Sequence, residues 1–168
     1  MWQRPALAAA AAITIVMASS PSLAQAPPPS GVATPGVRTL APPSAFKAEG
    51  TWSLGARAGD FVFLAGMPGI DPATNAMVRD PQAQIRQAFL NIQALARSEG
   101  LSLRDCVRLT VYLSDLNRFA AMVDKAQAEL WGGPPYPPRT MLEVQRLFDD
   151  MVVEIDSVFY APAKADAR

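Results

Sequence analysis

Residues Asp80 to Asp115 read DPQAQIRQAFLNIQALARSEGLSLRDCVRLTVYLSD, and this stretch changes from a helical to a strand pattern across one short loop. It begins with an aspartate–proline pair, which favours the start of a helix. Apolar residues then recur at helical spacing until Gly100, a residue typical of the position just beyond a helix end. After a capping-box turn at Ser102–Asp105, residues 107–113 alternate in polarity as a strand does. The stretch therefore predicts an α+β fold.

Regular elements are predicted on both sides of this stretch. Turn residues at 57–60 separate two strand-like runs, and Asp115 starts a second amphipathic helix that the glycine pair 132–133 ends. The other predicted strands are Thr51 to Ala56, Phe61 to Gly66, about Thr140 to Leu147, and Met151 to Tyr160. The predicted order is ββαβαββ. Because each helix has one apolar stripe, both helices are expected to pack on one face of a single β-sheet.

The last predicted strand is apolar on both of its faces. Val153 and Ile155 belong to one face, and Val152 and Val158 belong to the other. Two helices on one side of the sheet would leave the second apolar set in water. Oligomerisation through that face is the expected solution.

The first fifty residues differ in composition from the rest. Residues 1–24 combine Arg4, an apolar run and small residues before a cleavage point after Ala24, which is the pattern of a secretory signal peptide. Cleavage after Ala26 also fits, and an uncleaved N-terminal anchor is the alternative. Residues 25–50 are rich in proline and alanine and are predicted to form a disordered tether. The folded domain is predicted over 51–162 with a tail at 163–168, and the protein is expected to be secreted or periplasmic, free of the membrane after cleavage.

Composition excludes several kinds of site. The chain has no histidine and one cysteine, Cys106, which excludes a histidine base, an internal disulfide and a cysteine metal cage. Basic and acidic residues are equal at 15 each, so no basic patch indicates nucleic-acid binding. Catalysis is therefore expected from carboxylates, arginine, lysine, hydroxyls or backbone groups. No cofactor and no metal are expected.

Three segments within residues 51–161 resemble the Rid family, the reactive intermediate deaminases of YjgF type. They are the AGDFVFLAG run at 58–66, the QIRQAFLNIQ helix at 84–93 with the strand at 107–115, and the PPRTMLEV run at 137–144 with Val153–Ile155. The resemblance implies a chorismate-mutase-like fold and a homotrimer with ligand clefts between subunits. It also implies hydrolysis of reactive enamines and imines to 2-keto acids and ammonia.

Arg139 and Glu154 match the signature arginine and glutamate of that family. The resemblance implies that Arg139 holds the substrate carboxylate and that Glu154 serves the attacking water. A guanidinium can bind a carboxylate with two parallel N–H donors, and a carboxylate can move a proton where histidine is absent. The alternative is that Arg139 only pairs with Glu143 or Asp156 across strands.

Further residues are expected to line the substrate pocket, namely Trp52, Ala65, Gly66 and Tyr136. Several positions depart from the family pattern. Trp52 replaces a tyrosine, Ala65 replaces a serine and Met67 replaces a glutamine. Thr140 and Met141 lie where the family has small residues and often a cysteine. These changes remove polar side chains and favour a bulkier or more apolar substrate than 2-aminoacrylate. Met67 and Cys106 are expected to be packing residues.

Two other functions remain open on the sequence. One is a non-catalytic trimer that binds carboxylate metabolites through Arg139. The other is an RNA-directed activity, which is sometimes attributed to relatives. Its requirement for phosphate contacts conflicts with the near-zero net charge.

Overall fold

The computed structural model describes residues 36–162. Within them the strands and α-helices are β1 (Val37–Leu40), β2 (Gly55–Ala58), β3 (Phe61–Pro68), β4 (Ile70–Asp71), β5 (Ala76–Met77), α1 (Pro81–Ser98), β6 (Cys106–Leu113), α2 (Leu116–Trp131), β7 (Arg139–Glu143) and β8 (Val153–Tyr160). A six-stranded sheet runs in the order β1-β2-β3-β8-β6-β7, and β4 and β5 form a separate small hairpin. Strands β6 and β7 are parallel, and every other neighbouring pair is antiparallel.

Capping residues fix both helices at the predicted ends. The Asp80 side chain accepts a hydrogen bond from the Ala83 N–H at the start of α1. Gly100 adopts φ +74°, and the N–H groups of Gly100 and Leu101 donate back into the last turn of α1. This Schellman arrangement satisfies carbonyls that the helix end would otherwise leave unpaired. Asp115 caps α2 in the same way as Asp80 caps α1.

The core lies between one face of the sheet and the two helices, as predicted. Alternate residues of the central strands point into it, and the apolar stripes of α1 and α2 meet them. Its fully buried members include Val62, Ile85, Phe89, Ile92, Leu109, Val111, Val123, Val153, Ile155 and Phe159. Phe89 of α1 meets Trp131 of α2 edge to face, with ring centroids 5.8 Å apart. The structure therefore confirms the α+β class with both helices on one face.

The opposite face of the sheet carries apolar side chains exposed to water. Phe61 and Tyr160 are paired across β3 and β8, with ring centroids 5.6 Å apart. Phe61, Phe63 and Tyr160 are 41%, 46% and 46% exposed. Val158, directly opposite Phe63, extends the same surface. We call this surface the open face; a protein of this size rarely leaves such a patch uncovered.

The described part of the predicted tether is ordered, which corrects that prediction. Residues 37–40 form β1 at the edge of the sheet, paired with β2. Leu40 and Phe46 are buried in the core. Proline and glycine in this segment therefore mark turns between packed residues, and the few apolar side chains are enough to anchor it. Residues 25–35 of the tether, the signal peptide at 1–24 and the tail at 163–168 lie outside the described residues. Neither α1 nor α2, the two α-helices of residues 36–162, is long and apolar enough to cross a membrane.

Two strand boundaries differ most from the prediction. The first strand of the hairpin begins at Gly55 instead of Thr51, and β7 ends at Glu143 instead of about Leu147. Residues 144–152 form a loop that contains a single 3₁₀ turn at Phe148–Asp150. Asp149 and Asp150 both have positive φ, of 51° and 54°, which a strand does not allow.

Candidate functional site

A β-bulge in β3 brings Glu154 of β8 over the backbone of Gly66. The pairing of β3 with β8 shifts register between Leu64 and Met67, which places the bulge at Ala65–Gly66. A Cβ atom on residue 66 would lie 1.8 Å from the Glu154 Oε1 atom, so only glycine leaves room for this carboxylate. Bulges commonly re-aim side chains beside functional sites. Here the bulge directs Glu154 into a cavity.

We call this cavity, of about 590 Å³, the substrate-side cavity. Four residues predicted for the pocket lie in it: Trp52, Ala65, Gly66 and Glu154. It is lined by Lys47, Glu49, Trp52, Ala65, Gly66, Pro68, Ile70, Asn75, Met77, Phe148, Asp149, Met151 and Glu154. The walls are mainly apolar, and polar groups are few, as is usual for small-molecule sites.

Glu154 has a raised pKa for a carboxyl group. Its partial burial in the cavity is the main cause, and the nearby charge of Asp156 on the same face of β8 adds to it. Both effects disfavour the charged form. A carboxylate with a raised pKa is a better proton acceptor near neutral pH than one in water.

Two buried polar side chains of α1 hold the backbone around the cavity in place. Gln84 donates to the Val78 carbonyl and accepts from the Val152 N–H at 2.7 Å. The Asn91 amide donates to the carbonyls of both Pro68 and Ile70, each at 2.9 Å. These bonds fix the chain on either side of Glu154. No sequence pattern had singled out Gln84 or Asn91, although a buried amide on a helix is the kind of residue that holds loops in place.

The rim of the cavity is also tied together by hydrogen bonds. Trp52 donates its indole N–H to the Glu49 carbonyl at 3.0 Å. The Asn75 side chain accepts from the Lys47 N–H and donates to the Glu49 carboxylate. The segment that carries Trp52 is therefore held against the β4–β5 hairpin. The position of Trp52 is set before any ligand arrives.

Arg139 and Tyr136, the other predicted residues, line a second cavity of about 400 Å³. The proline-rich turn that carries them is anchored by Arg104, which donates to the carbonyls of Trp131 and Pro135. We call this the arginine-side cavity. It opens beside α2 and the edge strand β7.

The partners of Arg139 come from α2. Its guanidinium donates to the Gln127 side chain and forms an ion pair with Asp124 at 2.7 Å. The Arg139 side chain is 22% exposed, so part of the guanidinium still faces the cavity. The alternative interpretation, that Arg139 only pairs with Glu143 or Asp156, is wrong. The Glu143 carboxylate instead accepts a hydrogen bond from the Leu116 N–H at the start of α2.

Arg139 and Glu154 of the same chain lie in different cavities. Arg139 lies opposite Leu109 in the β6–β7 ladder, on the face that packs against the helices. Glu154 lies between the buried residues Val153 and Ile155 and points to the other face. Arg139 and Glu154 therefore do not pair within one chain.

Other predicted residues lie outside both cavities. Met67 is fully buried in the core, and Met141 packs partly buried against it, so neither substitution alters the cavity wall. Cys106 is buried as expected, and burial raises the pKa of its thiol to about 12. Among residues 36–162 no group of three cysteine, aspartate or glutamate side chains is placed to hold a metal ion.

Known proteins resemble this chain over most of the described residues. The family model described as endoribonuclease L-PSP matches residues 42–160. A 2-iminobutanoate/2-iminopropanoate deaminase of Salmonella typhimurium is 34% identical over 122 residues, covering 72% of this chain and 95% of its own.

Solved structures agree with the sequence relatives. A probable translation initiation inhibitor from Rhodopseudomonas palustris superposes with a TM-score of 0.73 and 46% identity, covering 76% of this chain and 99% of that one. TdcF of E. coli, solved with bound serine, gives a TM-score of 0.67 and 30% identity, covering 73% of this chain and 98% of that one. Sequence and fold lead to the same conclusion, which is that this chain belongs to the Rid family of YjgF-type proteins.

Proposed function

We propose that this protein hydrolyses 2-imino acids to 2-keto acids and ammonia, in a cleft that two copies of the chain form together. The observation that carries the proposal is the placement of Glu154 in an apolar cavity with a raised pKa. The name of the Salmonella relative, an imine deaminase, supports the same reaction. A non-catalytic trimer that binds carboxylate metabolites is the competing hypothesis.

The opposite orientations of Arg139 and Glu154 support a shared cleft. If both residues serve one substrate, they must come from different chains, because the sheet separates them within one chain. The exposed apolar surface of the open face gives a physical reason for chains to associate. A homotrimer, which the resemblance implies, would bring the edge strand β7 of one copy to the substrate-side cavity of the next.

The reaction requires one proton acceptor and one carboxylate clamp. The Arg139 guanidinium of one copy binds the substrate carboxylate with two N–H donors. The Glu154 carboxylate of the other copy takes a proton from water as the water oxygen bonds to the imine carbon. That proton passes to the imine nitrogen, which gives a carbinolamine with one hydroxyl and one amino group on the former imine carbon. Glu154 then takes the hydroxyl proton and passes it to the amino group as the C–N bond breaks, so that a keto acid and ammonia leave. General acid–base assistance of this kind is worth about 10²–10⁴-fold in rate.

The basic assay generates imino acids with an amino-acid oxidase and follows keto-acid release with and without the protein. Glu154→Gln should still bind 2-keto acids but lose about a hundredfold or more in rate. Arg139→Ala should lose binding, and Arg139→Lys nearly as much, because a point charge cannot replace the planar fork. Lys125→Ala, an exposed position on α2 outside both cavities, is the matched control.

A subunit-mixing experiment tests the shared cleft directly. Arg139→Ala and Glu154→Gln are unfolded together and refolded as mixed oligomers. If each cleft takes Arg139 from one copy and Glu154 from another, about a quarter of the clefts regain both residues, and activity returns. If one chain supplied both residues, no cleft would be complete and no activity would return.

The assay also separates the competing functions. Binding of 2-keto acids through Arg139 without acceleration of any imine hydrolysis would favour the carboxylate-binding trimer. The family description as an endoribonuclease raises a third possibility. Salt-sensitive cleavage of RNA by the wild type, lost in Arg139→Ala, would favour it; the equal basic and acidic counts of 15 argue against it.

A further inference from the structure

We infer that the imino acid hydrolysed by this protein carries a large apolar side chain, aromatic or long aliphatic, which packs between Trp52 and Phe148. This inference rests on the proposed function and names the substrate class of the same site. It depends on three observations: the size of the substrate-side cavity, the chemistry of its walls and the exposure of Phe148.

The cavity is larger than a small imino acid needs. Its volume is about 590 Å³, within the range of roughly 300–1,000 Å³ that sites for drug-sized ligands occupy. The imine of alanine has a single methyl group beyond its reacting centre. Such a ligand would cover only a small part of the apolar wall.

The wall facing Glu154 is built from apolar and aromatic groups. Trp52 is fixed by its hydrogen bond to Glu49, and its ring lies 6.3 Å from that of the buried Phe46. Ile70, Met77 and Met151 continue the apolar lining. Ala65, at the bulge, adds no hydrogen-bond donor or acceptor through its side chain. A polar substrate side chain would find few partners on this wall, whereas an apolar one would be desolvated favourably.

Phe148 lines the cavity, and in the single chain its side chain is exposed to water. It is 83% exposed, the highest value among the large apolar residues of the described chain. It sits on the 3₁₀ turn whose next two residues, Asp149 and Asp150, hold positive φ. The turn is held by an Arg79–Asp149 ion pair. Two residues after the turn ends, the Val152 N–H donates to the Gln84 side chain. A phenylalanine held in water beside an apolar cavity is expected to gain burial when an apolar ligand enters.

The charged rim argues against substrates with charged side chains. Glu49, Asp149 and Glu154 line the cavity with Lys47 as the one cation of that lining. This excess of carboxylates disfavours an acidic side chain. The Glu49 carboxylate accepts from Asn75 and the Asp149 carboxylate pairs with Arg79, so a basic side chain would have to compete with these partners.

The test compares substrates and ligands that differ only in the side chain. Imino acids are generated from alanine, 2-aminobutyrate, leucine, methionine, phenylalanine, glutamate and lysine, and kcat/KM is measured for each. The values for leucine, methionine or phenylalanine should exceed that for alanine by about tenfold or more. Phe148→Ala should remove most of this preference, so that the ratio of the phenylalanine-derived to the alanine-derived kcat/KM falls by about tenfold. Since Phe148 is so exposed, this variant is expected to fold normally.

A matched control and a binding readout complete the design. Arg146→Ala changes an exposed residue of the same loop that does not line the cavity, and it should keep the preference. Calorimetry with phenylpyruvate and pyruvate should show tighter binding of phenylpyruvate, again by about tenfold or more. That result without any turnover would uphold a preference of this cavity for ligands with a large apolar side chain and would overturn the enzymatic function. Equal or better use of the alanine-derived, acidic or basic substrates, or binding of neither keto acid, would overturn the inference.

Discussion

Replacing Gly66 with alanine would test whether the position of the Glu154 carboxylate matters for function. The new methyl group would lie 1.8 Å from the Glu154 Oε1 atom, 2.6 Å from its Cδ atom and 2.7 Å from its Cγ atom. Non-bonded heavy atoms prefer separations of about 3.5–4.0 Å, so the carboxylate must move by about 1.5 Å or more. The whole end of the side chain, and not only one oxygen, has to swing away from β3.

The displacement has different consequences for activity and for stability. A misplacement of about 1 Å in a reacting group can reduce a rate about hundredfold, so kcat should fall at least that far. Forcing an extra methyl group into a packed site lowers stability by about 1–3 kcal/mol. The Glu154 end of the side chain is partly exposed and can turn towards the cavity, so a value near the lower end is expected. Binding of 2-keto acids should weaken less than kcat, because Arg139 is untouched.

Gly59→Ala provides a matched control for this variant. Gly59 lies in the turn of the same hairpin, with φ +56°, and a methyl group added there would meet no atom within 4 Å. Alanine in this left-handed conformation costs about 1–2 kcal/mol, so its loss of stability should be similar to that of Gly66→Ala. Its turnover per folded molecule should equal that of the wild type. Thermal unfolding and imine hydrolysis would be measured on both variants under the same conditions.

A kcat within about twofold of wild type in Gly66→Ala would refute the reasoning, since catalysis would then not depend on Glu154 at its observed position. An equal loss of activity in Gly59→Ala would also refute it, because reduced stability alone would explain both variants.

The charge of Glu154, the open face and the N-terminal pattern each lead to a further prediction. Because burial raises the folded-state pKa of Glu154 above its ordinary 4.5, its contribution to stability is fully present below that value and is lost as pH rises through the raised pKa. Glu154→Gln should therefore unfold at a higher temperature than wild type at about pH 7 and at the same temperature at about pH 4, as measured by calorimetry; a lower value at neutral pH would contradict this. Light scattering should give about three times the subunit mass, and Phe63→Lys on the open face should reduce it to one; an unchanged mass in this variant would move the interface elsewhere. Mass spectrometry of protein from its own host should find an N-terminus at Gln25, and an intact Met1 form in the cytosol would contradict export.

The helices could be predicted well because their ends are marked by individual residues. An aspartate that bonds to the first turn and a glycine that allows positive φ act locally, so Asp80, Gly100 and Asp115 could be interpreted without knowing the rest of the fold. The edge strand β1 could not be predicted in this way. Its four residues are held by pairing with β2 and by the burial of Leu40, which are contacts distant in sequence.

Several residues that line the two cavities could be predicted from the sequence, but their arrangement could not. Motif positions identified Glu154 and Arg139, whereas their opposite orientations depend on strand register. The orientation of Glu154 could have been predicted from the sequence. Glu154 alternates with Val153 and Ile155, which are predicted to share one face of the strand, so its side chain must point to the other face. The roles of Gln84 and Asn91 were hidden for another reason. A polar residue on a helix resembles a solvent-facing one until the partner carbonyls are known.

The fold includes β1, which lies before the residues of the family match, and this affects how shortened forms of the chain would behave. The family match begins at residue 42, after β1 has ended. A chain trimmed to that match would leave β2 as a bare edge, with unpaired backbone groups open to pairing with other chains. It would also lose Arg38, whose guanidinium meets the Glu99 carboxylate at 2.6 Å and ties the sheet edge to the end of α1. Aggregation of such a fragment would reflect the missing edge cover, and it would say little about the stability of the helices and central strands.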